Sequence, residues 1–312
     1  MSHDEPEEPR HTPVLVDEVL ELLQVKPGGL YIDCTLGEGG HSLAILTAAA
    51  DARLLGIDLD TNALAAARKR LSAYSDNTVF AQGNFADLES ISKRHGHVGA
   101  DGVLLDLGLS SLQVDTGSRG FSFRQEARLD MRFDPTQEFT ADQVVNEYEE
   151  VALADIIYRM GEEPKSRRVA RSIVRSRPIA TTTELADVVA NAVGRSGRSR
   201  IHPATRTFQA IRMYVNRELE NLSRGLEQAI DVLAIGGRVA VISYHSLEDR
   251  LVKGFFRRES SDCICPPETP VCVCDHTARV KRVTRRIVRS GPAEVASNPR
   301  SRSAKMRVAE RI

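Results

Sequence analysis

Between residues 30 and 106 four short apolar runs, most ending on a polar residue, are set apart by helical stretches. The runs are Leu30-Tyr31-Ile32-Asp33, Arg53-Leu54-Leu55-Gly56-Ile57-Asp58, Val79-Phe80-Ala81 and Gly102-Val103-Leu104-Leu105-Asp106. Residues 41–50 and the Ala-rich residues 62–73 read as helices between them. Strands that alternate with helices predict a parallel, doubly wound α/β sheet. The pattern then changes. From residue 113 to 215 no strand is apparent, and helices are expected over 141–148, 152–159, 166–176, 183–192 and 206–222. Thr140-Ala141-Asp142 and Thr182-Thr183-Glu184 supply N-cap-like starts. Strand character returns at residues 237–243. The simplest organisation is a sheet domain made of residues 1–112 and 216–312, with an all-helical domain, residues 113–215, inserted between strands four and five.

The glycine-rich turn after the first strand narrows the ligand. Asp33-Cys34-Thr35-Leu36-Gly37-Glu38-Gly39-Gly40-His41 leads into a helix, and glycine lets the backbone take positive φ and approach a ligand closely. The full G-x-G-x-x-G/A dinucleotide loop is absent, because Gly37-Glu38-Gly39-Gly40-His41-Ser42 ends in serine. The D-x-x-x-G-x-G spacing is a methyltransferase-like variant and favours S-adenosylmethionine over a nicotinamide cofactor. Asp58 ends strand two, where an acid can accept hydrogen bonds from both ribose hydroxyls. Phe85, in Asn84-Phe85-Ala86-Asp87 after strand three, is placed to cover an adenine face. The plainer alternatives are that Asp33 caps the turn, Asp58 caps the next helix with Asp60 and Thr61, and Phe85 is core.

Charge points to a second ligand. Residues 1–115 carry 8 Lys and Arg against 18 Asp and Glu, and the remainder carries 34 against 25. Positive charge concentrates in residues 164–178, with Lys165, Arg167, Arg168, Arg171, Arg175 and Arg177. It concentrates again in residues 195–217, with Arg195, Arg198, Arg200, Arg206, Arg212 and Arg217, and in the tail from Thr277. Any one run could be a solvated helix face; three predict a surface that meets a polyanion. The 27% charged composition and the lack of an eighteen-residue apolar run fit a chain without a membrane span, and an acidic N-terminus without an apolar core fits a cytoplasmic one. Four of the five cysteines crowd into Cys263-Ile264-Cys265 and Cys272-Val273-Cys274. Their pairs lack the two-residue spacing of structural zinc sites and sit among Pro266, Pro267 and Pro270, so no metal ligand is assigned, although zinc stays open for this exposed loop.

Several longer segments resemble one family, the MraW/RsmH 16S ribosomal RNA cytosine-N4 methyltransferases. They include His11-Thr12-Pro13-Val14-Leu15, Thr35-Leu36-Gly37-Glu38-Gly39-Gly40-His41-Ser42 and Asp106-Leu107-Gly108-Leu109-Ser110-Ser111-Leu112-Gln113. Arg119-Gly120-Phe121-Ser122-Phe123, Leu129-Asp130-Met131-Arg132 and Pro203-Ala204-Thr205-Arg206-Thr207-Phe208-Gln209-Ala210 continue the match. So do Ser243-Tyr244-His245-Ser246-Leu247-Glu248-Asp249-Arg250 and the tail residues 298–305; Tyr244 departs from the family's phenylalanine. The resemblance implies a Rossmann-like class I methyltransferase domain with a helical insertion. It also implies cofactor contacts at Gly39, Gly40, His41, Asp58, Phe85, Asp106 and Gln113, the last from the resemblance alone; Gly37 of the same turn is counted as a cofactor contact with them. The implied substrate is a cytidine of the decoding region, methylated on its exocyclic amine, with the small ribosomal subunit as partner. Homo-oligomerisation is left open.

The residues add a chemical expectation. The exocyclic amine of cytosine is a poor nucleophile, and a hydrogen-bond acceptor on it can rehybridise the nitrogen and later take its proton. Asp106 and Ser110 follow strand four, where amine-binding groups sit, and Ser110 could equally cap a helix. His245 follows strand five and could orient the base, or Ser246-Leu247-Glu248-Asp249 could simply open a helix. The inserted domain would clamp RNA from which the base has left its stack. Two other functions are an RNA-binding assembly factor without catalysis, and a small-molecule methyltransferase that the basic runs disfavour.

Overall fold

The computed structural model describes residues 12–108, 119–194, 202–269 and 271–312. Ser110, Gln113, Arg195, Arg198 and Arg200 therefore lie outside the described residues. Two compact units form, one from residues 1–108 and 221–312, the other from residues 109–220.

The first unit is built on a seven-stranded sheet: β1 Leu30–Asp33, β2 Arg53–Asp58, β3 Thr78–Gln82, β4 Ala100–Asp106, β5 Leu233–Ser243, β6 Val280–Arg282 and β7 Lys305–Arg311. Its order is β3-β2-β1-β4-β5-β7-β6, with β7 antiparallel to both β5 and β6 and the other pairs parallel. This is the Rossmann-like class I methyltransferase sheet. All four residues of β1 are buried, as a central strand covered on both faces requires. Ile32, Leu55, Ile57, Val103, Leu105, Val239 and Val241 face one packed layer together with Leu226 and Ile230 of the helix Glu218–Val232. The strand order reverses direction at β1 and β4, so the carboxyl ends of these strands frame the crevice where α/β sheets bind ligands.

Two strands, β6 and β7, escape the sequence pattern, and β5 starts earlier than expected. β7 falls in what the sequence shows only as a basic tail, yet Met306, Val308 and Ala309 are buried, with Lys305 and Arg307 half-buried beside them. β5 begins at Leu233 rather than 237, because Leu233 pairs with Ala100 before an excursion through Gly236 (φ 81°) brings Arg238 opposite Gly102.

In the second unit the described residues form the helices Ala141–Glu147, Glu150–Gly161, Ser166–Arg175, Thr182–Val193 and Thr205–Val215, with one isolated bridge between Arg128 and Thr181. Val144, Leu153, Ile157, Val169, Ile173, Leu185, Val189 and Ile211 supply its own core. The cap of Thr182–Val193 is Thr181, one residue earlier than expected, in a capping box with Glu184. The single helix expected over 206–222 is two. Asn216 ends the first by accepting from the Phe133 amide (2.7 Å) and donating to the Met131 carbonyl (2.7 Å), and Arg217 turns to φ 49°.

Candidate active site

The turn after β1 is held from within. Asp33, 1% exposed, accepts from the Ser42 hydroxyl (2.7 Å) and the Thr35 amide (3.2 Å). Burial raises its carboxyl above the usual range, so this acid shapes the turn instead of facing solvent. Gly37 and Gly39 both take positive φ (51° and 77°), and Gly39 opens the helix Gly40–Ala48 with no side-chain cap. The first amides of that helix are thus left for another acceptor. A Cβ on Gly40 would lie 3.1 Å from Pro13, so the segment before the first helix, Val16–Leu22, lines the turn as well.

Asp58 is not the cap of the next helix. Asp60 takes that role for Thr61–Arg70 by accepting from the Asn62 amide. The Asp58 carboxylate instead ties β2 to the glycine turn, accepting from the Gly37 amide (2.8 Å) with one oxygen and the Asp60 amide (2.9 Å) with the other. Each oxygen keeps a second lone pair. Burial, against those two hydrogen bonds, pushes its pKa up to about 6. Phe85 is half-buried and packs against the helix Glu218–Val232 at Gly225, where any Cβ would come within 2.5 Å of the ring. Gln228 of the same helix fixes that corner by donating to the Ala86 carbonyl (2.6 Å) and accepting from the Glu89 amide (2.8 Å).

Asp106 ends β4 beside this turn. Its amide donates to Thr35 Oγ1 (2.7 Å), its Oδ1 accepts from the Tyr244 hydroxyl (2.9 Å), and its Oδ2 lies 3.5 Å from His41 Nε2. Tyr244 is raised well above the usual phenol range, first by burial and then by the Asp106 charge, so it remains a donor. His41 is 6% exposed, and neither ring nitrogen has a hydrogen-bond partner. Two orphaned buried nitrogens are costly unless a ligand satisfies them. Uncapped helix amides, Asp58 with spare lone pairs and the unsatisfied His41 ring fit a cofactor with a carboxylate and a ribose.

His245 is engaged differently. It is the N-cap of the helix Ser246–Glu259, with Nδ1 accepting from the Glu248 amide (3.4 Å). Its Nε2 stands 3.0 Å from Glu248 Oε1 but is not aligned for a hydrogen bond. Glu248, 4% exposed, also accepts from the Tyr244 amide (3.0 Å). The geometry is that of a helix start, which stiffens the corner carrying Tyr244. Thr35, Tyr244 and Pro13 were not singled out as site residues in the sequence, since each acts through partners distant along the chain. Cys34 is 2% exposed within the core, and burial raises its thiol well above the usual range.

The basic runs divide. On Ser166–Arg175 the exposed Arg167, Arg168, Arg171 and Arg175 share one face opposite the buried Val169, Ala170 and Ile173. Arg171 meets Glu150 (3.3 Å), while Arg167, Arg168 and Arg175 have no acidic partner among the described residues. Arg177 is spent on the carbonyls of Val145 and Tyr148. In the second run Arg206, Arg212 and Arg217 pair with Glu163, Glu218 and Glu220, so its described part is neutralised, contrary to the sequence expectation. In the tail, Arg279, Lys281 and Arg307 pair with Glu259, Glu310 and Asp249.

Comparison with known proteins agrees along the whole chain. The sequence profile described as the MraW methylase family matches residues 8–312. "Ribosomal RNA small subunit methyltransferase H" of Dehalococcoides mccartyi is 52% identical over 304 residues, 97% of this chain and 86% of that protein. The proteins of the same name from Thermomicrobium roseum and Heliobacterium mobile are 50% and 49% identical, over 99% and 97% of this chain and 96% and 99% of theirs.

Proposed function

The chain belongs to the MraW methylase family, and from that premise we propose that it methylates the N4 amine of a cytidine in the decoding region of 16S ribosomal RNA, using S-adenosylmethionine. The substrate in this reading is the assembled small subunit in the cytoplasm. The observation that carries it is the Asp106 carboxylate, half-buried beside the glycine turn, with Oδ1 fixed by Tyr244 and Oδ2 free of a strong partner.

S-adenosylmethionine would supply an electrophilic methyl group on its sulfonium. The chain's residues then have to hold, align and take a proton. Uncapped amides at Gly40 and His41 and the His41 ring suit the amino-acid end, and Asp58 the ribose hydroxyls. Phe85 would cover the adenine. Asp106 Oδ2 would accept a hydrogen bond from the cytosine amine, localise its lone pair, and take the proton the nitrogen releases as the methyl carbon leaves sulfur, whose bonding pair stays on the departing thioether. Ser110 and Gln113 are assigned to the amine and the cofactor by family resemblance only. His245 acts as a positioning residue through Glu248 and Tyr244. Incubation with labelled cofactor should give methyl transfer to small subunits in preference to protein-free 16S RNA; labelling of neither removes the proposal.

Asp58 gives a pH signature. If its ionised form accepts the ribose hydroxyls, cofactor affinity falls as pH drops through about 6, by up to about tenfold per unit below that point. The stability of the free protein moves oppositely. A carboxyl raised from 3.8 to about 6 binds more protons folded than unfolded in that interval, so stability is lost as pH rises through it. Asp58→Ala should weaken binding by about 1.5–3 kcal/mol, and Asp58→Asn should flatten the pH profile; calorimetry between pH 5 and 8 checks both (about the range spanned by this titration).

The helical unit is assigned RNA recognition through Arg167, Arg168 and Arg175. Replacing all three by Gln should lower the slope of log affinity against log salt by about 2–3 and leave cofactor affinity unchanged. Arg217→Gln, whose partner Glu220 already neutralises it, should leave the slope alone. Equal slopes for the triple variant and the parent would mean a solvated face.

A further inference from the structure

The loop between the helix Ser246–Glu259 and β6 brings together four sulfurs that the mechanism does not use. The Sγ atoms of Cys263, Cys265, Cys272 and Cys274 all lie within 4.8 Å of one another. Cys272 and Cys274 are 3.5 Å apart, and Cys263 and Cys274 3.9 Å. A zinc ion bound at about 2.3 Å by four thiolates sets its sulfurs about 3.8 Å apart, whereas a disulfide draws two sulfurs to about 2.05 Å. Separations of 3.5 and 3.9 Å suit the edges of that tetrahedron and are far longer than a disulfide. The C-x-C pairs lack the usual two-residue spacing, but folding the two pairs against each other supplies all four corners.

The backbone is arranged for thiolates too. The amides of Ile264, Cys265 and Val273 donate to the sulfurs of Cys274, Cys263 and Cys265 at 3.4, 3.4 and 3.5 Å, as groups around a bound anionic ligand do. The loop also has little else to hold its tip. Ile264, Val271 and Val273 are 46%, 72% and 76% exposed, so its aliphatic side chains form no core. Its base is anchored by His276 Nδ1 on the Ser261 carbonyl (2.8 Å) and by the Arg279–Glu259 pair. A short segment without a core is where a metal cross-link supplies order. We infer that Cys263, Cys265, Cys272 and Cys274 bind one structural zinc ion, with all four positions filled by protein. Binding displaces the thiol protons to solvent and leaves no open coordination position for chemistry.

The test uses the full chain purified without chelator or added metal. Elemental analysis should find about one zinc per chain, and the Cys272→Ser/Cys274→Ser double variant should lose at least nine-tenths of it. Cys34→Ser, which removes the buried fifth thiol, should retain it. Cobalt(II) added to the reduced, metal-stripped parent should give the sulfur-to-metal charge-transfer band and intense visible bands of a tetrahedral tetrathiolate, whether or not the double variant folds. Absence of that spectrum, stoichiometric iron in place of zinc, or a non-reduced mass lighter by two hydrogens per cysteine pair would overturn the assignment.

Discussion

Asp106→Ala is expected to slow methyl transfer at saturating cofactor by about 10²–10⁴-fold, the range a positioned proton acceptor contributes. The carboxylate stands at the end of β4, where Tyr244 orients it and Thr35 holds the backbone amide of the same residue. Its removal deprives the cytosine amine of an acceptor and leaves the Tyr244 hydroxyl without its partner. The loss should therefore appear in the single-turnover rate, while the variant still folds on its seven-stranded sheet. Asp106→Asn is the sharper comparison, because the amide keeps the volume and can still accept from Tyr244, yet cannot take a proton. Rapid-quench measurements with labelled cofactor distinguish the two. A single-turnover rate within a few-fold of the parent in both variants would remove Asp106 from the chemistry. Tyr244→Phe should cost far less, since it loosens the carboxylate without deleting it.

Gly39→Val should abolish measurable cofactor binding, a loss of more than about 100-fold, close to 3 kcal/mol. Gly39 stands at φ 77°, and a Cβ there would meet Leu71 Cδ1 at 3.2 Å and Ala67 Cβ at 3.4 Å. A β-branched residue is a severe outlier at positive φ, and its methyl groups would push into Leu71, which is fully buried. The turn must shift, taking the amides of Gly40 and His41 with it. Gly28→Ala is the control: φ is 68°, but nothing lies within 4 Å of the added Cβ. It should bind cofactor normally at a small cost in stability. Should Gly39→Val fail to fold, Gly39→Ala should fold and bind with an intermediate affinity. Native affinity in either Gly39 variant, read by calorimetry, would contradict the pocket.

The elements that frame the candidate cofactor site were legible because their signals are local. β1, β2 and β4 are buried runs that end on Asp33, Asp58 and Asp106, and the glycine turn sits in continuous sequence. Signals carried by distant partners were not legible. Nothing near Arg212 in the sequence announces a helix break, because Asn216 makes it with the backbone of residues 131 and 133. The 195–217 run looked like uncompensated charge because its described arginines find Glu163, Glu218 and Glu220 only in the fold or just beyond the run. β7 alternates buried Met306 and Val308 with Lys305 and Arg307, a period of two that the density of basic residues obscured. Tyr244 read as a minor departure because its partner Asp106 is 138 residues away. Cys34, beside the glycine turn, packs into the core of the sheet unit.

That buried thiol bears on the central claim. Methylation of cytosine at carbon 5 normally needs a cysteine thiolate that adds to the ring, and Cys34 is both enclosed and held protonated by burial. Attack by the amine nitrogen, with Asp106 taking the proton, is the chemistry these residues suit. The direct test is to label unmodified small subunits with the purified protein and labelled S-adenosylmethionine, digest the 16S RNA to nucleosides and separate them by chromatography with mass detection. The label should co-elute with cytidine methylated on N4 and vanish with Asp106→Ala. Label in 5-methylcytidine, or a covalent protein–RNA adduct lost in Cys34→Ser, would contradict the account.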